Sequence, residues 1–199
     1  FQLFAYGIDA DIKDSKNNLL ELAQSGLSMN QKEYYLSDND NYTKTREAFK
    51  KHVVEMFKYI GDTDAVAHRR MESVMAIETR MAKASKSAAE LRDPAANYHK
   101  MTYADFKKEY SGYDWDQYFH CYFIDGIVEL SVAQPEALKE AMAILNDTDI
   151  CQLKDWVKWT FIDANAYLLN DDMFMLDFDF SRRVMAGQKE PQPLWKRSV

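Results

Sequence analysis

Apolar residues recur with a period of about two residues at the start of the chain and of about 3.6 residues after the first fifth of the sequence. The first period is typical of strands and the second of helices. The first 24 residues contain two short runs rich in aromatic and aliphatic side chains, LFAYGIDA and LLELA, with polar KDSKNN between them. Such runs on either side of polar turn residues are typical of two paired strands. The sequence therefore predicts a β-hairpin over residues 1–24 with its turn in KDSKNN.

From about Asn30 onward the apolar residues recur at helical spacing. One face of a first long helix contains Phe49, Val53, Met56, Phe57 and Ile60. Gly61 is placed to end this helix, and Asp62 or Asp64 to cap the next one. The inner face of that next helix contains Met71, Val74, Ile77, Glu78 and Met81. These periods predict two successive amphipathic helices up to about Ser87.

The stretch ELRDPAANYHKMTYADF at 90–106 interrupts the helical pattern. It brings together four side chains that can take part in chemistry: Arg92, Asp93, Tyr98 and His99. Pro94 forbids a continuous helix, and Thr102 with Asp105 resembles a capping box that starts a new one. We therefore expect a connector in which Arg92 and Asp93 hold the backbone and Tyr98 packs against a helix.

The second half of the chain predicts further helices. Asp114 can cap a short helix, residues 123–132 form an extended crossing, and Pro135 stands in a first helical turn. Asp147 or Thr148 is expected to cap the next helix. Its predicted inner face contains Ile150, Leu153, Val157, Phe161, Ala164 and Leu168, widened by Trp156, Trp159 and Tyr167. A last helix over 171–186 stops at Gly187. The predicted fold class is mainly α, a multi-helix domain with a small β-hairpin at its start.

Composition and charge narrow the classes of function. The 199 residues carry a net charge of −7 and a pI near 5.1, which argues against nucleic acid because phosphate contacts need clustered Lys and Arg. No apolar run reaches the length of a membrane span, so we expect no membrane contact by this segment. The two cysteines, Cys121 and Cys151, cannot form a disulfide framework.

No candidate active site emerges from the residue spacings. A zinc peptidase needs two histidines one helical turn apart with a glutamate beside the first, the HExxH pattern. The four histidines, which are His52, His68, His99 and His120, offer no such pair. One acidic group is expected in a solvated turn and contains Asp9, Asp11 and Asp14. A second group is expected on a charged outer face and contains Asp171, Asp172, Asp177 and Asp179. The prediction is that no catalytic, cofactor-binding or metal-binding residue lies in this chain.

Several segments taken together resemble the neprilysin family of zinc endopeptidases, including its bacterial oligopeptidase O branch. GLSMNQKEYYL at 26–36 is similar to the family's GLGLPxRDYYL, and IETRMAKAS at 77–85 to its glutamate-led helix. ELRDPAANYHKMTYADF is similar to R(d/n)D…YNKMT…L, followed by Trp115. FDFSRRVMAGQKEPQPLWKRSV is similar to F.F…L.GQ.E..PRWKR, although Leu194 stands where an arginine is usual. His99 falls where the family has asparagine, so we expect no catalytic role for it.

The resemblance implies that residues 1–199 are a fragment of the family's N-terminal helical (cover) domain, without the catalytic domain. In such enzymes this domain encloses a chamber that admits peptides and excludes folded proteins. The full-length protein would be a zinc metalloendopeptidase, whereas this chain alone is expected to be inactive and to hold no zinc. The implied partners are the C-terminal catalytic domain of the same polypeptide and peptide substrates. The implied location is extracytoplasmic: periplasmic, cell-surface or secreted.

Two other functions remain open at this point. The first alternative is a free-standing helical interaction module that shares the family's ancestry but has no peptidase activity. The second is an unrelated helical carboxylate–histidine metal protein, which would need Glu-x-x-His pairs on facing helices. No such pair occurs in the sequence, so this alternative ranks last.

Overall fold

The computed structural model describes residues 3–197 and divides them into two compact units. The first unit, the helical unit, contains residues 33–79 and 149–197. The second, the sheet unit, contains residues 3–32 and 80–148. Both units are therefore built from two separate stretches of chain. The prediction of a mainly α fold is confirmed.

The sheet unit contains four strands rather than the hairpin alone. Strands β1 (Phe4–Asp11) and β2 (Asp14–Gln24) pair in antiparallel fashion, which confirms the predicted hairpin. Strand β4 (Glu129–Val132) lies parallel to β2, and β3 (Lys100–Thr102) pairs antiparallel with β4. The strand order is β1-β2-β4-β3. The extended crossing predicted at 123–132 thus supplies an inner strand of this sheet.

The hairpin turn is tighter than predicted. Only Ile12 and Lys13 separate the two strands, and the backbone N of Lys13 donates to Asp11 Oδ1 over 2.9 Å. This short Asx turn closes the hairpin before the polar segment begins. Asp14 accepts from the side chain of Asn17 at 2.8 Å, and the strand register is irregular there. The polar residues of KDSKNN therefore form an irregular start to β2.

The helices of the sheet unit begin at the predicted caps. Thr102 Oγ1 accepts from Asp105 N at 3.1 Å and starts α4 (Tyr103–Glu109); Asp114 accepts from Gln117 N at 2.9 Å and starts α5 (Trp115–His120). Pro135 opens α6 (Pro135–Asp147). The core beneath the sheet is aromatic: Trp115 contacts Phe4 and Phe106 with ring centroids 5.6 and 4.7 Å apart.

The helical unit is built around two long helices, α2 (Asp40–Tyr59) and α7 (Ile150–Asn165). The short α1 (Glu33–Leu36) precedes α2. The helix α3 (Asp64–Ala84) follows it and contributes its residues up to Thr79 to this unit. The cap of α7 is Asp149, whose carboxylate accepts from Cys151 N at 2.8 Å, so the prediction of Asp147 or Thr148 was wrong. The core contains Phe49, Val53, Met56, Phe57, Trp159 and Phe180, and the first five are fully buried.

The predicted inner face of α7 was wrong by about half a turn. The buried side chains are Trp156, Trp159 and Ile162, together with Asp155. Val157, Phe161 and Leu168, which the sequence analysis placed inside, are exposed. Both sides of this helix are apolar, so the period identified the helix without deciding which side faces the core.

The last helix changes its winding along its length. A 3-10 turn (Ala166–Leu168) leads to α8 (Asp171–Asp177), which continues as a π-helix (Phe178–Val184). Gly187, at φ +69°, ends it as predicted, with Gln188 N donating to Arg182 O and Gly187 N to Arg183 O. A final short helix, α9 (Leu194–Arg197), was not predicted. Within residues 3–197 no helix is long and apolar enough to span a membrane.

Candidate functional site

The connector between α3 and β3 is held by a buried amide network. Asn97 lies at its centre: its Nδ2 donates to the carbonyl oxygens of Glu90 (3.0 Å) and Asp93 (2.7 Å). Its Oδ1 accepts from Lys86 Nζ at 2.9 Å and from Gln134 Nε2 at 3.1 Å. Every hydrogen-bonding atom of this buried side chain is therefore paired, which is the pattern of a structural brace.

The network extends from the connector to the end of the hairpin. Gln134 Oε1 accepts from the backbone N of Gln24 at 2.8 Å. The side chain of Gln24 exchanges two bonds with the backbone of Lys86, at 2.7 and 3.0 Å. Three amide side chains thus join β2, the end of α3 and the start of α6 within the sheet unit. None of them was singled out by the sequence analysis, because their partners lie far away along the chain.

Replacement of Asn97 by alanine is expected to lower the free energy of unfolding by about 2–3 kcal/mol, since it leaves several buried polar groups without partners. Urea denaturation followed by circular dichroism measures this. The matched control is Asn18→Ala, because Asn18 is exposed on β2. A loss at Asn97 no larger than the loss at Asn18 would contradict the structural role.

The second fixed point of the connector is a charged cluster at Asp11. This carboxylate is 3% exposed and accepts from Tyr98 OH (2.9 Å) and Lys100 Nζ (3.1 Å), while Lys100 also pairs with Glu129 at 2.7 Å. The bond from the backbone N of Lys13, with further help from Tyr98 and Lys100, lowers the pKa of Asp11. The bonds to Glu129 and Asp11 raise the pKa of Lys100. The cluster therefore stays charged and paired over the physiological range.

The four residues that raised the question of an active site do not converge. Asp93 caps its own turn by accepting from Ala95 N, and Tyr98 binds the hairpin through Asp11 rather than packing against a helix as predicted. His99 Nδ1 lies 3.0 Å from Val132 O at the start of β3. The side chain of Arg92 is exposed and makes no hydrogen bond or ion pair with the described residues, so the expectation that it holds the connector was wrong. This geometry forms a clamp on the connector and assembles no nucleophile with a base.

Two of the segments that resemble the neprilysin family meet in the helical unit. Tyr35 OH, from GLSMNQKEYYL, donates to Glu78 Oε2, from IETRMAKAS, over 2.5 Å. Glu78 is fully buried, and such a carboxylate is stable inside a protein only when it is hydrogen-bonded. The contact joins α1 to α3 and gives the glutamate of that segment a structural purpose.

The described residues offer no site that fits a zinc ion. Across positions 3–197 no group of three or more His, Cys, Asp or Glu side chains could hold a metal. His52 is buried against Trp159 and Phe180, and His120 pairs with Asp125 at 3.0 Å. A catalytic zinc needs three protein ligands around one position. The described residues therefore lack this three-ligand arrangement.

One cavity of the described residues is a groove in the helical unit. Its volume is about 780 Å³, and it lies beside the π-helix; lining residues include Tyr167, Phe174, Asp177, Ser181, Arg182 and Gln188. Ser181 lies beside Asp177 in the lining of this groove. Asp177 was expected on an outer face, but it lines this groove instead.

Two carboxyl groups near this groove have raised pKa values. Burial, and then the nearby Asp177, raise the pKa of Asp163 to about 6. Burial also raises the pKa of Asp177, against the opposing effects of Ser181 and Arg182. Both carboxyl groups therefore take up a proton at a higher pH than ordinary aspartates. The two raised pKa values make the stability of the helical unit depend on pH.

Comparison of the sequence with known proteins identifies relatives that match nearly the whole chain. The chain is 26% identical over 203 residues to mouse endothelin-converting enzyme 1, covering 98% of this chain and 26% of that protein. It is 22% identical to the neutral endopeptidase of Lactobacillus helveticus, covering 96% and 29%. The chain thus spans between a quarter and a third of the length of these relatives.

Comparison with solved structures also identifies proteins that match nearly the whole chain. The zinc metalloprotease ZMP1 of Mycobacterium tuberculosis in its open state superposes with a TM-score of 0.92 at 26% identity, over 99% of this chain and 31% of that one. PepO from Lactobacillus rhamnosis superposes at 0.80 with 16% identity, which shows a shared fold. A family model described as "Peptidase family M13", built for the N-terminal region, matches residues 1–199. The chain therefore belongs to peptidase family M13, the neprilysin-like zinc metallopeptidases, and corresponds to the N-terminal region of its members.

Proposed function

We propose that residues 1–199 form a non-catalytic part of a zinc-dependent metalloendopeptidase, in the helical domain that covers the active-site chamber and limits access to peptides. The observation that carries this proposal is the match of the family model along the whole chain. The superposition on about a third of a zinc metalloprotease supports it. The zinc ligands and the catalytic groups then belong to the part of the polypeptide outside these residues.

The described residues are packed as expected for a rigid side of a chamber and not for a flexible linker. Aromatic side chains fill the core of each unit, and buried networks at Asn97, Asp11 and Glu78 fix the connecting segments. Close-packed interiors deform little under load. Such stiffness supports selection by size, because a wall that yielded would admit folded proteins. The family resemblance also supports an extracytoplasmic site of action.

The proposal is tested by comparing the 199-residue chain with the longer polypeptide that its gene encodes. We expect the longer polypeptide to contain HExxH, to bind one zinc per chain and to cleave unfolded peptides but not folded proteins. We expect the 199-residue chain to retain no stoichiometric zinc and to cleave neither. Metal analysis by mass spectrometry and a set of fluorogenic peptides of increasing length measure these outcomes.

Two results would overturn the proposal. One tightly held zinc per 199-residue chain would place the metal site inside the described units. A gene that ends at Val199, or continues without HExxH, would favour the free-standing helical interaction module instead.

A further inference from the structure

The π-helix gives the groove beside it a pair of opposite charges. Asp177 and Arg182 lie five positions apart, and both line the groove. In an α-helix two such residues point about 140° apart, because each residue turns the helix by about 100°. A π-helix bonds residue i to residue i+5, so residues five apart lie nearly above one another. The change of winding at Phe178–Val184 therefore brings an acid and a base to the same groove.

The two charges do not neutralise each other by direct contact. Among the residues that the structure describes, neither side chain forms a salt bridge; Asp177 has Ser181 as its hydrogen-bond partner, and Arg182 acts on it at longer range. A neighbouring pair on the same helix does meet, since Arg183 binds Asp179. An acid and a base that are held apart in one groove are free to pair with the two opposite charges of a ligand.

The rest of the lining is largely apolar. Phe178 is 3% exposed and stacks with Phe174, with ring centroids 6.2 Å apart. Tyr167 and Leu168 are more than half exposed, and Pro191 also lines the groove. The volume of about 780 Å³ is within the range of small-molecule sites, ~300–1,000 Å³. Such sites typically combine apolar walls with a few polar groups at fixed positions.

We propose that this groove binds a short zwitterionic peptide with apolar side chains. Its ammonium group pairs with Asp177 and its carboxylate with Arg182, through charge-assisted hydrogen bonds, while its side chains contact the aromatic lining. Each residue of an extended peptide adds ~3.5 Å between the two ends, so a dipeptide can bridge charges that do not touch. The inference goes beyond the proposed function, because this binding needs neither zinc nor hydrolysis.

Isothermal titration calorimetry with the dipeptide Leu-Leu tests the site. It is carried out with the 199-residue chain and with the longer polypeptide, both in the presence of a chelator so that no peptide is cleaved. We expect saturable binding to a site that the two polypeptides share. N-acetyl-Leu-Leu lacks the ammonium group and Leu-Leu amide lacks the carboxylate. Each is expected to bind at least about tenfold more weakly, because one charge-assisted hydrogen bond is lost.

Single replacements assign each end of the peptide to its partner. Arg182→Gln is expected to weaken binding of Leu-Leu at least about tenfold but to leave binding of Leu-Leu amide unchanged, because that ligand has no carboxylate to lose. Asp177→Asn is expected to act in the same way on Leu-Leu and N-acetyl-Leu-Leu. The control is Asp179→Asn, which removes a carboxylate that pairs with Arg183 on the same helix and is expected to bind Leu-Leu like the parent.

Four results would overturn the proposal. The first is no saturable binding of Leu-Leu, and the second is equal binding of Leu-Leu and its two blocked forms, since apolar contacts alone would then account for it. The third is full binding in both Asp177→Asn and Arg182→Gln with unchanged circular dichroism, which would place the peptide elsewhere. The fourth is binding to the 199-residue chain that is lost in the longer polypeptide, which would assign the groove to the remainder of that polypeptide.

Discussion

Replacement of Trp159 by alanine is expected to lower the free energy of unfolding by about 3–5 kcal/mol. The side chain is fully buried on the inner side of α7. Its ring lies 5.7 Å from Phe49, 5.6 Å from His52 and 6.3 Å from Phe57, centroid to centroid. The substitution removes these contacts and leaves a cavity that the packed α2 cannot collapse to fill. Urea denaturation followed by near-ultraviolet circular dichroism measures the loss.

The chain supplies a matched control for this substitution. Trp195, in α9, is 67% exposed, so Trp195→Ala removes an indole without opening a cavity. We expect that variant to stay within about 0.5 kcal/mol of the parent, as is usual for surface positions. Equal losses at the two tryptophans would contradict the placement of Trp159 at the centre of the helical unit.

The second large effect is a pH dependence of stability that comes from His52. Burial lowers the pKa of His52 from 6.5 to about 4. Between these values the unfolded chain binds a proton at this position and the folded chain does not. The free energy of unfolding is therefore expected to fall as the pH drops from 6.5 toward 4, by on the order of 3 kcal/mol in total.

Asp163 acts in the opposite direction over nearly the same range. Its pKa is raised from 3.8 to about 6, so the folded chain binds the proton more tightly than the unfolded chain. This contribution increases the free energy of unfolding as the pH falls through 6. The parent chain should accordingly show a flatter profile between pH 4 and 6.5 than His52 alone would give.

Single replacements separate the two contributions. His52→Leu is expected to gain stability on acidification from pH 6.5 to 4.5, because the raised pKa values of Asp163 and Asp177 are then no longer opposed by His52. Asp163→Asn is expected to lose stability more steeply than the parent over the same interval. Thermal unfolding in buffers of constant ionic strength measures both slopes. Parallel profiles for the two variants would contradict the assignment.

The sequence was a good guide to several contacts between neighbouring residues. Thr102 and Asp105 lie three residues apart, so the capping box could be identified before any fold was known, and the structure confirms it. Gly187 likewise ended the last helix as predicted, because only the backbone geometry of a few neighbours was involved. The predictions of the hairpin, of the helical periods and of the fold class rest on the same short-range information.

The sequence failed where the deciding partner was distant. Asn97, Gln134 and Gln24 form one network across separations of 37 and 110 residues, and a single sequence carries no signal for such pairing. Asp11 has the composition of a solvated turn residue, yet Tyr98 and Lys100 bury and pair it from 87 and 89 residues away. The side of α7 that faces the core was undecided for a related reason, since both of its sides are apolar.

The two-stretch construction of each unit has a consequence for synthesis on the ribosome. The chain starts the sheet unit with residues 3–32, builds the first half of the helical unit with 33–79, and returns to complete the sheet unit by 148. Helix α2 must therefore wait for α7 while residues 80–148 of the sheet unit are translated. Phe49 and Phe57 lack their contacts with Trp159 of α7 throughout that interval, and apolar surface exposed in this way makes a folding intermediate prone to aggregate. Arrest of translation near residue 148 should yield a nascent chain with a protease-resistant sheet unit and a readily cleaved α2.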